Sequence, residues 1–218
     1  MNDIIVLMGA PGAGKGTQAR FIQERRGLKQ ISTGDIFRAM KDAQTPLAEE
    51  VRAIMNSGKL VPDEVTIRVV QERTNKEDCS KGYILDGFPR TPEQAVTLEK
   101  LAAEQGKRIS AISIDVPFDI LEKRMTGRRS CSECGEIYNI YFKPPKNDNV
   151  CDLHPDNQLL HRSDDTPEKI KVRLSTYEQQ TQPLIDYYGK SGRLHRVDGT
   201  RDPETIYAEI DKILTDLA

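Results

Sequence analysis

An α/β fold, a parallel sheet flanked by helices, is what this sequence predicts, and three observations predict it. Short β-branched runs of strand length alternate with longer amphipathic stretches over the first 130 residues. The runs are apolar throughout rather than alternating, as strands buried on both faces are. Several helix starts carry a capping residue followed by proline: Thr91-Pro92, Thr166-Pro167 and Asp202-Pro203. Strand, helix, strand in that order builds βαβ units with right-handed crossovers.

Taken in order, Ile4-Ile5-Val6-Leu7-Met8 is the first strand, ended by a glycine-rich turn. Gln30-Ile31-Ser32 is a weaker strand candidate. Residues 32–61 hold two short helical patterns without a strand and end in Gly58-Lys59-Leu60-Val61-Pro62. Gly82-Tyr83-Ile84-Leu85-Asp86 is the second clear strand, and Thr91-Pro92-Glu93-Gln94 after it is a capping box. Ile109 to Val116 is the third, and Leu194-His195-Arg196-Val197 a further weak candidate. Between them, residues 129–161 change character: three cysteines, a Pro-Pro pair, the aromatics Tyr138, Tyr141 and Phe142, and no helical period. Both irregular stretches read as insertions near enough to close over the core.

Composition narrows the function. The 218 residues are 37% hydrophobic and 30% charged, enough apolar material for one buried core. Thirty-two basic against 34 acidic residues leave a net charge of −2, which argues against a nucleic acid partner. No apolar run approaches the roughly 20 residues that span a bilayer, so no membrane association is expected. The start Met1-Asn2-Asp3 lacks the basic stretch of a signal peptide, and four cysteines are too sparse for a disulfide scaffold. A cytoplasmic globular protein is expected.

After the first strand comes Gly9-Ala10-Pro11-Gly12-Ala13-Gly14-Lys15-Gly16-Thr17, the G-x-x-x-x-G-K spacing of a phosphate loop. Glycines let the backbone turn its N–H groups onto phosphate oxygens. The following helix adds its positive end, and Lys15 reaches the outer phosphates. Gly16 stands where Ser or Thr usually follows the lysine, with Thr17 one place later. A nucleoside triphosphate site is predicted. Asn75-Lys76-Glu77-Asp78 also fits the guanine-reading N-K-x-D. That motif should follow a buried strand, whereas Val65 to Arg73 reads as a helix, so the match is chance. Asp86 ends the second clear strand, where ligands sit in such sheets, and its carboxylate can organise Mg²⁺ through water.

Six blocks in order then carry a resemblance: Gly9 to Thr17; Ser32-Thr33-Gly34-Asp35 with Arg38; Gly58-Lys59-Leu60-Val61; Leu85-Asp86-Gly87-Phe88-Pro89-Arg90 with Gln94; Gly127-Arg128-Arg129; and Val197-Asp198-Gly199-Thr200. Together they resemble the adenylate kinase family, in its long form with a large lid, across essentially the whole chain. The resemblance implies a P-loop kinase core (1–31, 62–126 and 166–218), a small helical AMP-binding insertion (32–61) and a zinc-ribbon-like lid (127–165). It implies reversible phosphoryl transfer from MgATP to AMP, giving two ADP, in a monomer.

By family position, Gly12, Ala13, Gly14, Lys15, Gly16, Thr17, Arg124, Arg128, Ile137, Tyr138 and Arg201 would bind ATP. Thr33, Arg38, Lys59, Leu60, Val61, Gly87, Phe88, Pro89, Arg90, Gln94, Arg162 and Arg173 would bind AMP. The catalytic group would be Lys15, Asp86, Arg90, Arg128, Arg162 and Arg173, because a migrating phosphoryl group spreads charge over three oxygens and is stabilised by positioned cations. Arg108, Arg193 and Arg196 read instead as surface charges. No general base is needed where the attacking group is already an anionic phosphate.

Cys131-x-x-Cys134 and Cys151-x-x-His154 have the spacing of two zinc ligand pairs. In similar kinases the fourth ligand is usually Cys or Asp, so His154 is a variation, with Asp152 or His161 as alternatives. Zinc is favoured over iron or cobalt, in a structural role, since four protein ligands leave no open position. Two other readings compete: a sister kinase acting on UMP, CMP or GMP, which Gln94 argues against, and a zinc-ribbon binding module for nucleic acid or protein, which the net charge argues against.

Overall fold

The computed structural model describes residues 3–40, 43–57 and 59–217; Gly58 of the Gly58-Lys59-Leu60-Val61 block lies outside them. Five strands, β1 (Asp3–Met8), β2 (Lys29–Ser32), β3 (Gly82–Asp86), β4 (Arg108–Asp115) and β7 (Leu194–Asp198), form one sheet in the order β2-β3-β1-β4-β7. Every pairing among them is parallel. Both weak strand candidates are therefore real edges of the sheet. They were weak because an edge strand buries fewer side chains: only Val197 is buried in β7.

β1 shows why its run is apolar throughout. Ile5 and Leu7 point into one core cluster, and Ile4, Val6 and Met8 into the other. On the first face lie α1 (Lys15–Arg26), α6 (Phe118–Thr126), α7 (Pro167–Thr176) and α9 (Pro203–Asp216), through residues such as Ile22, Leu121, Ile170 and Ile210. On the second lie α4 (Asp63–Thr74), α5 (Pro92–Glu104) and α8 (Pro183–Lys190), through Val70, Leu98 and Tyr188. Each fully buried Ile or Leu contributes roughly 1.5–3 kcal/mol, so this two-sided core dominates folding.

β1 lies between β3 and β4, so the chain leaves the centre of the sheet in both directions. Ligands bind at such a switch point, beyond the carboxyl ends of the strands. The turn after β1 and the Asp86 end of β3 both lie there.

Two outgrowths flank that end. α2 (Thr33–Ala39) and α3 (Pro46–Asn56) gather a small core of Phe37, Val51 and Val61, with Met55, Val65 and Val69 against it. The 127–165 segment holds a hairpin of β5 (Arg128–Ser130) and β6 (Ile137–Asn139) and a cluster of Cys131, Tyr138, Cys151 and Leu159.

Local signals turned out as follows. Asp202 caps α9 through the N–H groups of Glu204 and Thr205. Thr166 precedes α7 but its side chain makes no capping bond. The Thr91 hydroxyl caps α5, accepting from Gln94 N, yet Gln94 Oε1 accepts from Arg90 N, one residue before the cap. Only half of the capping box forms, because Gln94 has another partner. The N-K-x-D match begins just beyond the end of α4, and Asp78 pairs with Arg73 on that helix.

Candidate active site

A cleft of about 1480 Å³ opens over the switch point, between the two outgrowths. Its floor is the loop after β1. Gly14, at φ 103°, caps α1 in a left-handed conformation that a residue with a Cβ would adopt only under strain. Lys15 Nζ donates to the carbonyls of Gly9 and Ala10 at 2.8 and 3.0 Å. Burial of the ammonium pushes its pKa down to about 8, with Asp86 pulling it up and Arg90, Arg173 and Arg128 pushing it further down. Asp86 faces the loop: its Oδ2 lies 3.6 Å from where a Cβ on Gly16 would stand, an ordinary contact distance.

The walls are cationic. Eleven lysines and arginines line the cleft against four aspartates. Arg90, held by its Nε bond to the Gly87 carbonyl at 2.8 Å, has its pKa lowered to about 10 by burial and by Arg173. Arg162 is lowered to about 10 by burial, Arg128 and Arg38. Arg173 is lowered by burial and by Arg128, although it pairs with Asp164 and Asp165 at 2.9 and 2.8 Å. Arg38 pairs with Asp35, and Arg124 lies 3.5 Å from the Ala13 carbonyl. Arginines that depress one another are held together against their own repulsion, and a polyanion would relieve it.

Of the residues singled out in the sequence, Gly12 to Thr17, Arg38, Leu60, Asp86, Gly87, Pro89, Arg90, Arg124, Arg128, Ile137, Tyr138, Arg162, Arg173 and Arg201 all line this cleft. Thr33, Lys59, Val61, Phe88 and Gln94 are not among its lining residues. Thr33 and Gln94 stand just behind it: the Thr33 hydroxyl donates to the Gly87 carbonyl at 2.9 Å, and Gln94 takes the Arg90 N–H at 2.8 Å. Arg201 pairs with Glu209, and the Tyr138 hydroxyl points inward to Cys151 Sγ, leaving Ile137 as its neighbour on the cleft. Arg108, Arg193 and Arg196 pair with Asp3, Glu99 and Asp115, none of which lines the cleft.

Asp165 and Asp164 were missed as site residues. The only signal was their place two and three residues after Arg162, which does not reveal that Asp165 would be fully buried between Arg128 and Arg173. The 127–165 segment is also tied to α1 by Arg20 and Glu136 at 2.5 Å and touches α3 through Ser163 and Asn56 at 3.4 Å.

Cys131, Cys134, Cys151 and His154 bring one donor atom each within 4.8 Å of one another. Cys134 Sγ to Cys151 Sγ is 3.8 Å, and Cys151 Sγ to His154 Nδ1 is 3.9 Å. A tetrahedron with sulfurs about 2.3 Å from its centre has edges of about 3.8 Å, so the cluster fits zinc. Burial raises the Cys151 thiol, but bonds with His154 and Tyr138 outweigh it and bring the pKa down to about 6, favouring the thiolate that metals need. Asp152 is turned aside, its Oδ1 accepting from Lys146 N at 2.8 Å, and His161 lines the cleft instead.

A phosphate loop at the switch point of a parallel sheet, facing a ring of mutually repelling arginines, makes this a P-loop phosphotransferase. Comparison with known proteins narrows the class. The family described as adenylate kinase matches residues 7–193. The adenylate kinase of Thermodesulfovibrio yellowstonii is 49% identical over 96% of this chain and 98% of its own. That of Clostridium perfringens is 50% identical over 96% and 97%, and that of Bacillus subtilis 48% over the same shares. The chain belongs to the adenylate kinase family, and so to the nucleoside monophosphate kinases. Among the described residues no helix is long and apolar enough to cross a membrane.

Proposed function

We propose that the enzyme transfers the γ-phosphoryl group of MgATP to AMP, reversibly, giving two ADP. One observation carries the assignment of sites: the phosphate loop and the Arg38–Arg90 pair line one cleft, where Arg173 interacts electrostatically with both Lys15 and Arg90, Arg128 with Lys15, and Arg162 with Arg38. ATP lies with its phosphates on Gly12 to Thr17, and its base lies beside Arg124, Ile137 and the Arg201 loop. AMP lies on the other side, its phosphate held by Arg38 and Arg90 and its base near Thr33, Leu60, Val61 and Gln94.

An AMP phosphate oxygen attacks the γ-phosphorus, and the bond to the ADP leaving oxygen breaks, taking its electron pair with it. Charge spreads over the three transferring oxygens, and Lys15, Arg128, Arg162 and Arg173 neutralise it from fixed positions. Asp86, with only a long 3.5 Å contact from Gln30, offers the hard oxygen that a hydrated Mg²⁺ favours. When bound, Mg²⁺ neutralises charge on the triphosphate. The 127–165 segment serves as a lid over ATP, and 32–61 as the AMP-binding insertion. A structural zinc on Cys131, Cys134, Cys151 and His154 holds the lid together. Three thiols gathered without a disulfide suit a reducing, cytoplasmic setting.

A coupled assay offering AMP, CMP, UMP and GMP as acceptors tests the assignment. AMP should be preferred by orders of magnitude. A better rate with any other acceptor would overturn it.

A further inference from the structure

Gln94 is held by partners of opposite kinds. Its Oε1 accepts the Arg90 N–H at 2.8 Å, and its Nε2 donates to Asp63 Oδ1 at 2.7 Å. A backbone N–H can only donate, and a carboxylate oxygen can only accept. Turning the amide over would set donor against donor at Arg90 and acceptor against acceptor at Asp63. The carboxylate is itself fixed, because its Oδ2 takes the Thr91 hydroxyl at 2.7 Å. Gln94 is 2% exposed, so water cannot stand in for a lost partner.

These bonds use one lone pair and one hydrogen of the amide, which carries two of each. The remaining acceptor and donor therefore stand side by side in a fixed order. The edge of a 6-aminopurine presents an amine donor beside the N1 acceptor. A 6-oxopurine of the same shape presents the reverse, an oxygen acceptor beside an N1–H donor. A freely turning amide pairs with either edge. A locked one pairs with only one of them.

We propose that Asp63 is a positioning residue that sets acceptor choice: by locking the Gln94 amide, it makes the pocket select 6-aminopurine over 6-oxopurine monophosphates. This rests on Gln94 being the residue that reads the base. Asp63 lies on the first turn of α4, outside the cleft, and touches no reacting atom.

The test compares AMP with inosine monophosphate, its 6-oxo isostere, in the wild-type enzyme, Asp63→Asn, Asp63→Glu and Gln94→Leu. An asparagine at 63 can accept or donate, which removes half of the lock. Asp63→Asn should raise the AMP KM and shrink the preference for AMP over inosine monophosphate by about tenfold, as loss of a polar discriminator does, with the ATP KM unchanged. Asp63→Glu, still an acceptor only, should keep most of the preference. An unchanged preference in folded Asp63→Asn, or equal rises in both KM values, would overturn the proposal. If Gln94→Leu leaves the AMP KM unmoved, the base-reading role of Gln94 fails instead. A readout on the wild-type protein covers poor folding of the variants. By NMR, AMP should move one Nε2 proton of Gln94 and leave the Asp63-bonded one in place, and movement of both would count against the lock.

Discussion

Arg128 and Asp165 meet in a two-bond ion pair, Nε to Oδ2 at 2.8 Å and a terminal nitrogen to Oδ1 at 2.6 Å. Asp165 is fully buried and shares Oδ1 with Arg173, also at 2.8 Å. Arg128 stands near the start of the 127–165 segment and Asp165 at its end, while Arg173 belongs to α7. One carboxylate thus fixes two guanidinium groups and ties together the two ends of the 127–165 segment.

Asp165→Asn should therefore cost about 3–5 kcal/mol of stability, since it leaves buried charge uncompensated. It should also lower kcat more than either KM, because two transition-state cations lose their aim. Burial raises the Asp165 carboxyl, but Arg128, Arg173 and Arg162 hold it below the usual range. A depressed native value means the stabilisation is complete above the ordinary pKa of ~3.9 and fades as pH falls through the lower one. Urea midpoints of wild type and variant should differ widely at pH 6 and converge in strong acid. A constant gap would remove Asp165 from the stability account.

The sheet was legible because burial on both faces leaves unbroken apolar runs such as Ile4 to Met8. The phosphate loop and the cluster of Cys131, Cys134, Cys151 and His154 were legible because such chemistry needs fixed spacing within a few residues. Asp63, Asp164 and Asp165 were not. Their roles come from partners 8 to 37 positions away, and an aspartate in a first helical turn or a loop carries no mark of its future neighbours. Gln94 carried two readings, a capping-box member and a base reader, and only its contacts show why the box is half-formed.

Lys15 should give the enzyme an alkaline limb. With the ammonium lowered to about 8, kcat/KM for ATP, which reports the free enzyme, should fall as pH rises through that value. In the ternary complex, phosphate oxygens favour the charged form, so the limb in kcat should lie at higher pH. A kcat/KM profile flat from pH 7.5 to 9.5 would contradict the placement. Lys15→Ala should fold normally and lose far more than tenfold in rate, a loss above about 1.4 kcal/mol.

The Arg20–Glu136 pair should act as a latch for the closed lid. Arg20→Met removes its cation from α1 without touching the phosphate loop. The ATP KM should rise by up to about fivefold, the worth of a partly exposed pair near 1 kcal/mol, with a smaller change for AMP. Raising ionic strength should weaken the wild type toward the variant, because such pairs are screened. Steady-state kinetics at low and high salt measure both effects. Equal salt dependence in the two proteins would deny the latch.

The zinc site should stabilise the lid without taking part in the chemistry. Among the described residues, the hydrophobic cluster of the 127–165 segment is Cys131, Tyr138, Cys151 and Leu159, with Cys134 packed beside it, so three of its five members are proposed ligands. So few apolar groups cannot order a segment of this length, and metal ligation supplies what burial does not. The Tyr138 hydroxyl extends the knot by accepting Asp152 N–H at 2.9 Å. One zinc per chain is expected by elemental analysis. Chelation, or Cys131→Ser, should lower the melting temperature by several degrees or more, a few kcal/mol being worth roughly 2–4 °C each at this size. Turnover measured well below that temperature should remain substantial, because four protein ligands leave the metal no open position for a phosphate. A metal-free protein melting at the wild-type temperature would remove the stabilising role. One that stays folded yet loses all turnover would place the metal in the reaction itself.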